Sequence, residues 1–181
     1  AGAFDDVDAA ITWHPDTFTR VWEPLSLANM RIDFTFHGRA SHASAAPHLG
    51  RSALDAIELM NVGANYMREH MPADARVHYA ILDAGGVAPN VVQAKATVRY
   101  LVRAKELPGL LTLIERVKKI AEGAALMTET RVEAKIVSAV SNLLANTPLE
   151  DAMAAAFERL GGVPFDAADR AFAAKIQATL T

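Results

Sequence analysis

Apolar and polar side chains alternate most regularly over residues 30 to 37. The apolar positions are Met30, Ile32, Phe34 and Phe36, and the polar positions between them are Arg31, Asp33, Thr35 and His37. A period of two with one apolar face predicts a half-buried β-strand. Similar alternation predicts three further strands, at residues 76 to 82, 94 to 104 and 132 to 136.

Apolar residues spaced three and four positions apart predict two amphipathic helices between these strands. The first helix follows Ser52, a predicted N-cap with Asp55 three positions on, and it ends before Pro72. The second helix begins near Pro108, because the first turn tolerates a missing N–H group. Their core stripes are Leu54, Ile57, Met60, Ala64 and Met67 in the first, and Leu110, Leu113, Ile114, Val117, Ile120 and Ala124 in the second.

The order strand, helix, strand, strand, helix, strand covers about residues 29 to 140. It predicts an α+β, ferredoxin-like βαββαβ domain, in which a four-stranded antiparallel sheet carries both helices on one face. The other face is expected to be open and to carry charged side chains, namely Arg31, Asp33, Arg99 and Arg103.

The two ends of the chain lie outside this six-element unit. Residues 8 to 13 form a short apolar run, which predicts a strand ending at His14 and Pro15. Residues 141 to 146 are a linker, and a capping box with Thr147 as the N-cap predicts a helix that Gly161 ends. Asp166 caps a further predicted helix. The chain opens without Met and ends in that helix, so we expect a piece excised from a longer protein.

Composition and charge narrow the function classes. The 181 residues are 51% hydrophobic and 22% charged, with a net charge of −3 and no cysteine. No basic stripe predicts nucleic-acid binding, no apolar run predicts a membrane span, and no thiol can form a disulfide or a thiolate metal site. No signal peptide is recognisable at the acidic start. We therefore expect a cytoplasmic protein that binds neither nucleic acid nor a membrane.

Two loops carry residues that are unusual for their position. Residues 38 to 56 read Gly-Arg-Ala-Ser-His-Ala, then Pro-His and Asp-Ala; residues 85 to 92 read Gly-Gly, then Asn-Val-Val, before a strand that bears Arg103. This pattern resembles the lid domain of the zinc exopeptidase and aminoacylase superfamily, which includes carboxypeptidase G-type enzymes and auxin-conjugate amidohydrolases. Residues 13 to 15 and 172 to 177 resemble the p-aminobenzoyl-glutamate hydrolases within it. The chain departs from the family at Gln93, where a proline is usual.

The resemblance implies a division of the chain. In this family a lid domain is inserted into a catalytic domain that binds two divalent metal ions, zinc or manganese. Residues 1 to 28 would end the first catalytic half, residues 29 to 140 would form the lid, and residues 141 to 181 would begin the helical second half. Two protomers pair through their lids. Because residues 76 to 82 form an exposed edge strand, we expect a two-fold homodimer through that strand and the adjacent helix, with an eight-stranded sheet. A second, different type of subunit is a further possible partner.

The resemblance also implies roles for four residues. His14 would be a metal ligand, His42 would stabilise the oxyanion in the partner's active site, and Asn90 would bind substrate at the dimer interface. Arg103 would bind the substrate carboxylate, which a guanidinium fork fits. Each residue also has a purely structural alternative. His14 would be a surface histidine and His42 a loop histidine, whereas Asn90 would be a turn asparagine and Arg103 a solvated arginine. Arg99 is the rival for the carboxylate, unless it pairs with Asp33 across the sheet.

The implied reaction is hydrolysis of the amide between an acyl group and an amino acid. The expected substrate is an N-acyl amino acid, p-aminobenzoyl-glutamate, which would give p-aminobenzoate and glutamate. The family's remaining metal ligands and its general-base glutamate match nothing in this chain, so we expect the 181 residues alone to be inactive and without metal. The alternative is a stand-alone ferredoxin-like module for small-molecule binding or dimerisation. RNA recognition is disfavoured, because Tyr100 is the only aromatic residue of its strand and faces the core.

Overall fold

The structure is a computed structural model that describes residues 2–16, 19–22 and 26–180. Residues 24–144 form one compact unit, and residues 1–23 with 145–181 form a second. The elements of the first unit are β1 (Ala28–His37), α1 (Ala53–Met67), β2 (Arg76–Asp83), β3 (Lys95–Ala104), α2 (Leu107–Thr128) and β4 (Arg131–Val140). The helices of the second unit are α3 (Thr147–Leu160) and α4 (Ala167–Gln177).

The four strands form one sheet in the order β2-β3-β1-β4, and every neighbouring pair is antiparallel. The predicted ferredoxin-like, α+β arrangement is therefore confirmed, including its strands and its additional C-terminal helices. The sequence predicted the fourth strand over residues 132 to 136, and the strand in fact extends from Arg131 to Val140. A register shift between Arg31 and Ile32 of β1 leaves Val137 of β4 without a Cα partner in β1.

Alternation in β1 and β3 places every second side chain in the core, against helices α1 and α2. The largest fully buried side chains include Phe34, Phe36 and Tyr100. Both predicted helix stripes face this core, except that Leu54 and Ile120 are only partly buried. The hydroxyl of Tyr100 donates a hydrogen bond of 2.7 Å to Oδ1 of Asn61, the one polar side chain among the buried residues described. Burial raises the pKa of Tyr100, so its hydroxyl keeps the proton that it donates.

The two edge strands are less well covered than the central pair. Tyr79 and Ile81 of β2 stand opposite core residues of β3, yet they are 37% and 47% exposed. Ile136 of β4 stands opposite the buried Ile32 and is 55% exposed. Both edges of the sheet thus present apolar side chains that α1 and α2 leave accessible.

The predicted N-caps are confirmed for α1 and α4, and the one predicted for α3 is corrected. Ser52 accepts a hydrogen bond of 3.0 Å from the backbone of Asp55, and Asp166 forms a full capping box with Asp169. For α3 the N-cap is Asn146 and not Thr147. The Asn146 side chain accepts from Leu149 N, and Glu150 accepts from Asn146 N at 3.2 Å. Asn is as good an N-cap as Thr, and it leaves Thr147 and Pro148 inside the first turn.

Among the described residues of the second unit, no side chain is fully buried. Helices α3 and α4 bury no side chain, and Ile11 and Trp13 are 66% and 84% exposed. The strand predicted at residues 8 to 13 is wrong, because the structure has no regular element there. An apolar run of this length forms a strand only where another strand supplies hydrogen-bond partners.

Among the described residues, no helix is both long and apolar enough to cross a membrane.

Candidate functional site

Backbone hydrogen bonds join the two loops that the sequence singled out. Ala43 N donates to the carbonyl oxygen of Asn90 at 2.9 Å, and Val92 N donates to the carbonyl oxygen of Ser41 at 3.0 Å. These bonds form an isolated antiparallel bridge between His42 and Val91. The structure thus brings His42 and Asn90 together at one end of the sheet, where β1 ends and β3 begins.

Two glycines permit this close packing of the loops. A Cβ atom on Gly38 would lie 1.9 Å from the carbonyl oxygen of Arg51, a backbone atom that cannot move aside. A Cβ atom on Gly50 would lie 2.5 Å from Oγ of Ser41 and 2.9 Å from the side chain of Val92. The glycines are therefore required by close approach, which is one of the few needs that only glycine meets.

Hydrogen bonds determine which nitrogen of His42 carries the proton. Its Nδ1 lies 3.3 Å from Ser44 N and 3.2 Å from Ala45 N. A backbone N–H can only donate, so Nδ1 is the acceptor and the ring proton lies on Nε2. The imidazole lies at the loop surface, where its Nε2–H is available to an external acceptor.

Asn90 uses its backbone and leaves its side chain available. Its carbonyl oxygen accepts from Ala43, while the exposed side-chain amide has no partner among the described residues. The neighbouring Gln93 accepts from Ser52 Oγ at 3.3 Å. That glutamine therefore connects the end of the second loop to the N-cap of α1.

The two arginines of β3 differ in their partners. Arg99 donates two hydrogen bonds to Asp33, of 2.7 Å from Nε and 2.9 Å from Nη2. These bonds hold the pKa of Asp33 below its ordinary value. Arg103 is half-buried, and it has no ion pair or hydrogen bond among the described residues. The alternative left open for Arg99 is thus resolved in favour of the pair with Asp33, and Arg103 is the arginine of β3 without a charged partner among the described residues.

Arg103 is distant from His42 and Asn90 within one chain. It stands opposite Asn29, at the start of β1, whereas Lys95 stands opposite His37 at the end of β1. At about 3.3 Å per residue, roughly 26 Å separate Lys95 from Arg103 along β3. One chain therefore presents His42 and Asn90 at one end of the sheet and Arg103 at the other.

His14 belongs to the second compact unit. It is exposed, its Nδ1 lies 2.8 Å from the carbonyl oxygen of Pro15, and its ring meets that of Trp22 edge-on at 6.1 Å. Over residues 2–16, 19–22 and 26–180, no three His, Asp or Glu side chains come together in a way that could hold a metal ion. His14 has the chemistry of one metal ligand, but the residues described here do not make up the donor set of a dinuclear centre.

Sequence reasoning missed two features of this site. It did not foresee that the backbone after His42 turns back onto Nδ1, although a serine two residues on is a frequent turn residue. It also gave no role to Arg31, which is exposed and, like Arg103, has no charged partner among the described residues. The sequence pattern indicated a cross-strand pair only as an alternative for Arg99 with Asp33, and it did not show whether Arg31 or Arg103 has a partner.

Known proteins similar to this chain are amide and peptide hydrolases by name. One is a subunit of the p-aminobenzoyl-glutamate hydrolase of Escherichia coli (strain K12), which is 52% identical over 180 residues, or 99% of this chain and 37% of that protein. Another is the Xaa-Arg dipeptidase of Mus musculus, which is 32% identical over 74% of this chain and 30% of the relative. The chain thus spans about a third of the length of these relatives.

A solved structure shows that the similarity extends to the fold. The aminobenzoyl-glutamate utilization protein from Klebsiella pneumoniae superposes with a TM-score of 0.63 and 26% identity, over 76% of this chain and 35% of that one. The sequence profile of the peptidase dimerisation domain matches residues 26–129, which is most of the unit that contains the sheet. The chain therefore belongs to the peptidase dimerisation domain family.

Proposed function

We propose that this chain is the lid and dimerisation part of a metal-dependent amidohydrolase that cleaves N-acyl amino acids. The proposed substrate is p-aminobenzoyl-glutamate, and the products are p-aminobenzoate and glutamate. The observation that carries the proposal is the 52% identity to a subunit of the Escherichia coli p-aminobenzoyl-glutamate hydrolase, which extends over 99% of this chain. The similarity includes the residues on both sides of the lid. A free-standing dimerisation module would not need these flanking residues.

We assign residues 29 to 140 to the lid, residues 1 to 28 to the end of the first catalytic half and residues 141 to 181 to the start of the second. The flanking helices favour this division, because they expose large apolar side chains. Phe157, Leu160, Phe172 and Ile176 are 38%, 78%, 66% and 47% exposed. Apolar surface of this extent is normally covered by another part of a protein, and the body of a catalytic domain would cover it.

His42 would act on the reacting carbonyl group. When water adds to the scissile amide, negative charge develops on the carbonyl oxygen, and a preorganised N–H donor stabilises that charge. The donor would be Nε2–H of His42, since Nδ1 accepts hydrogen bonds from Ser44 and Ala45. Asn90, which the bridge between the loops holds beside His42, would donate its side-chain amide to the same substrate.

Arg103 would bind the carboxylate of the amino acid through its guanidinium fork. Because it lies at the opposite end of the sheet from His42 and Asn90, one lid would serve two active sites. His42 and Asn90 would reach into the partner's site, and Arg103 would serve the site of its own chain. This division of roles requires a dimer.

The edge formed by β2 and α1 is the interface that we propose for this dimer. Tyr79, Ile81 and Leu82 of β2 are between 37% and 49% exposed, and Leu59, Val62 and Tyr66 of α1 are between 37% and 68% exposed. Pairing of two β2 strands would give a continuous eight-stranded sheet and cover both groups. The partner would be a second copy or a related chain, since the names of the relatives include two different subunits of p-aminobenzoyl-glutamate hydrolase.

Two divalent metal ions, zinc or manganese, would supply the activated water when bound in the complete enzyme. His14 would contribute one imidazole ligand, and the remaining ligands would come from segments that match nothing in this chain.

The test is to replace the matched segment of the Escherichia coli hydrolase with this chain and to assay hydrolysis of p-aminobenzoyl-glutamate by the reassembled enzyme, with its other subunit present. The exchanged enzyme is expected to be active, and the 181-residue chain alone inactive. His42→Ala should lower kcat by about 10²–10³-fold, the usual effect of removing one oxyanion donor. His48→Ala is the matched control, because His48 is an exposed histidine of the same loop; its kcat should not change.

Each outcome separates one part of the proposal. A folded exchanged enzyme that hydrolyses no p-aminobenzoyl-glutamate contradicts the substrate. Equal losses in the His42 and His48 variants contradict the role of His42. Hydrolysis by the 181-residue chain alone contradicts its assignment as a lid.

A further inference from the structure

The open face of the sheet has two halves, and among the described residues acidic and basic side chains form ion pairs in only one of them. In the half near His37, Asp33 accepts from Arg99 and lies opposite Lys135, and Glu133 pairs with Arg131. In the half near Ala28, the described side chains of the open face include three arginines and no acid, and these arginines are Arg31, Arg76 and Arg103.

Two of these three arginines have no partner among the described residues. Arg76 turns back on its own loop, where Nη1 donates to the carbonyl oxygens of Ala73 and Ala75, each at 2.6 Å. Arg31 and Arg103, by contrast, have neither a hydrogen bond nor an ion pair within the described part of the chain. Asn29, which stands opposite Arg103 on β1, donates weakly to Leu27 O at 3.5 Å and brings no negative charge.

The register places Arg31 and Arg103 beside each other. Arg31 stands opposite Leu101, so Arg103 is its diagonal neighbour on the same face. Diagonal neighbours in an antiparallel pair lie about 7–8 Å apart, within reach of long side chains. Two guanidinium groups can therefore approach one small ligand from adjacent strands.

Like charges on adjacent strands repel. Asp33, the acid two residues along β1 from Arg31, is paired with Arg99, so neither Arg31 nor Arg103 has a bonded anion among the described residues. A ligand with two carboxylates removes this repulsion and gives each guanidinium a planar partner. The carboxylates of glutamate are separated by three carbon atoms, so one molecule can reach both arginines. A ligand with one carboxylate would leave the second arginine unpaired.

We propose that Arg31 and Arg103 together bind an acidic amino acid residue, with the α-carboxylate on Arg103 and the side-chain carboxylate on Arg31. Arg31 is then the residue that makes the site specific for N-acyl derivatives of dicarboxylic amino acids. The assignment rests on the proposed function for the substrate and for the carboxylate on Arg103, and it adds Arg31 as the residue that selects the side-chain carboxylate.

Binding to the 181-residue chain tests this assignment without any catalytic step. The chain labelled with ¹⁵N is titrated at low salt with p-aminobenzoyl-glutamate and with p-aminobenzoyl-glutamine, which differ only in the side-chain carboxylate. The glutamate ligand should bind about two- to fivefold more tightly, which is the range of one exposed ion pair. Arg31→Gln should abolish this preference and leave the affinity for the glutamine ligand unchanged.

Lys135→Gln is the charge-matched control. It removes one positive charge from the same face of the sheet, in the half where Asp33 and Arg99 are paired. The preference for the glutamate ligand should survive in this variant. Equal affinity for the two ligands in the unmodified chain overturns the proposal, as does a preference that persists in Arg31→Gln or disappears equally in Lys135→Gln.

The exchanged Escherichia coli enzyme separates this inference from the proposed function. If it hydrolyses both ligands and Arg31→Gln leaves the ratio of their kcat/KM values unchanged, the role of Arg31 is wrong and the amidohydrolase assignment stands. If it hydrolyses neither ligand, the proposed function fails, whereas the titration still measures whether Arg31 selects a second carboxylate.

Discussion

The two faces of the sheet differ in what their side chains contact. On the core face, the side chains of β1 and β3 are almost fully buried, and Tyr100 and Asn61 satisfy each other. On the open face, Arg99 and Asp33 pair, while Arg31 and Arg103 have no partner among the described residues. Burial contributes most of the free energy of folding, so the core face should determine stability. The open face can then carry charges whose partner is a ligand.

The largest effect is expected on the core face, from Phe34→Ala. Phe34 is 1% exposed and its ring meets that of Tyr100 edge-on at 5.7 Å. Truncation leaves a cavity in addition to the lost burial, and it should lower the free energy of unfolding by about 3–5 kcal/mol. Urea denaturation followed by circular dichroism measures the loss. Leu101→Ala, on the open face of the adjacent strand, is the control and should lose much less; equal losses would contradict the contrast between the faces.

A smaller effect is expected from the buried hydrogen bond of the core face. Tyr100→Phe removes the donor and leaves Oδ1 of the buried Asn61 without a partner. An unsatisfied buried polar group costs about 1–3 kcal/mol, and the same denaturation experiment should detect it. Tyr66→Phe removes the hydroxyl of a tyrosine that is 68% exposed, and it should have no effect. If both variants are as stable as the unmodified chain, the Tyr100–Asn61 bond is not a stabilising contact.

A still smaller effect, with a defined pH dependence, is expected from Asp33→Asn on the open face. The hydrogen bonds from Arg99 hold the pKa of Asp33 below its ordinary value. A depressed carboxyl pKa stabilises the fold above the unfolded value of about 3.9, and this contribution is lost as the pH falls through the folded value. Urea midpoints of the two proteins should therefore differ at pH 7 and converge below about pH 3.9. Glu58→Gln, at an exposed position of α1, is the control; a difference that persists in acid would rule out the ion pair as its cause.

The smallest effect on stability is expected from Arg103→Gln. Arg103 has no partner to lose among the described residues, and its removal relieves repulsion with Arg31. The free energy of unfolding should stay the same or rise slightly, while hydrolysis by the exchanged enzyme should fall because the substrate carboxylate loses its anchor. Thermal unfolding and kcat/KM measured on the same preparation test both statements. A clear loss of stability would mean that Arg103 is a structural residue.

The fold was predictable because its periodic signals are long and agree with each other. Met30, Ile32, Phe34 and Phe36 face one side of β1 as their alternation predicts, and Ser52 caps α1 as its spacing to Asp55 predicts. The predictions failed where the signal was short. Residues 8 to 13 form no strand, and Asn146 rather than Thr147 caps α3. Short runs have several conformations of similar energy, and contacts outside the run select among them.

The site was predictable only in part. The sequence identified the residue types in the two loops, and the order of their motifs indicated the family. The sequence did not indicate the hydrogen bonds from Ser44 and Ala45 to His42. It also did not show that Arg103 lies at the opposite end of the sheet from Asn90. Those properties depend on which backbone atoms the folded loops bring together and on the register of β1 with β3.

The sequence by itself determined the order of the elements, the buried faces of β1, β3, α1 and α2, and the chemistry that the loops can carry. These follow from local periodicity and residue type, which are properties of neighbours along the chain. Only the tertiary structure decided that Arg99 is paired with Asp33, whereas Arg103 has no partner among the described residues, and that Arg31 lies diagonally beside Arg103. Whether a charge is neutralised depends on residues far away in the sequence, and the sheet register alone brings them within reach.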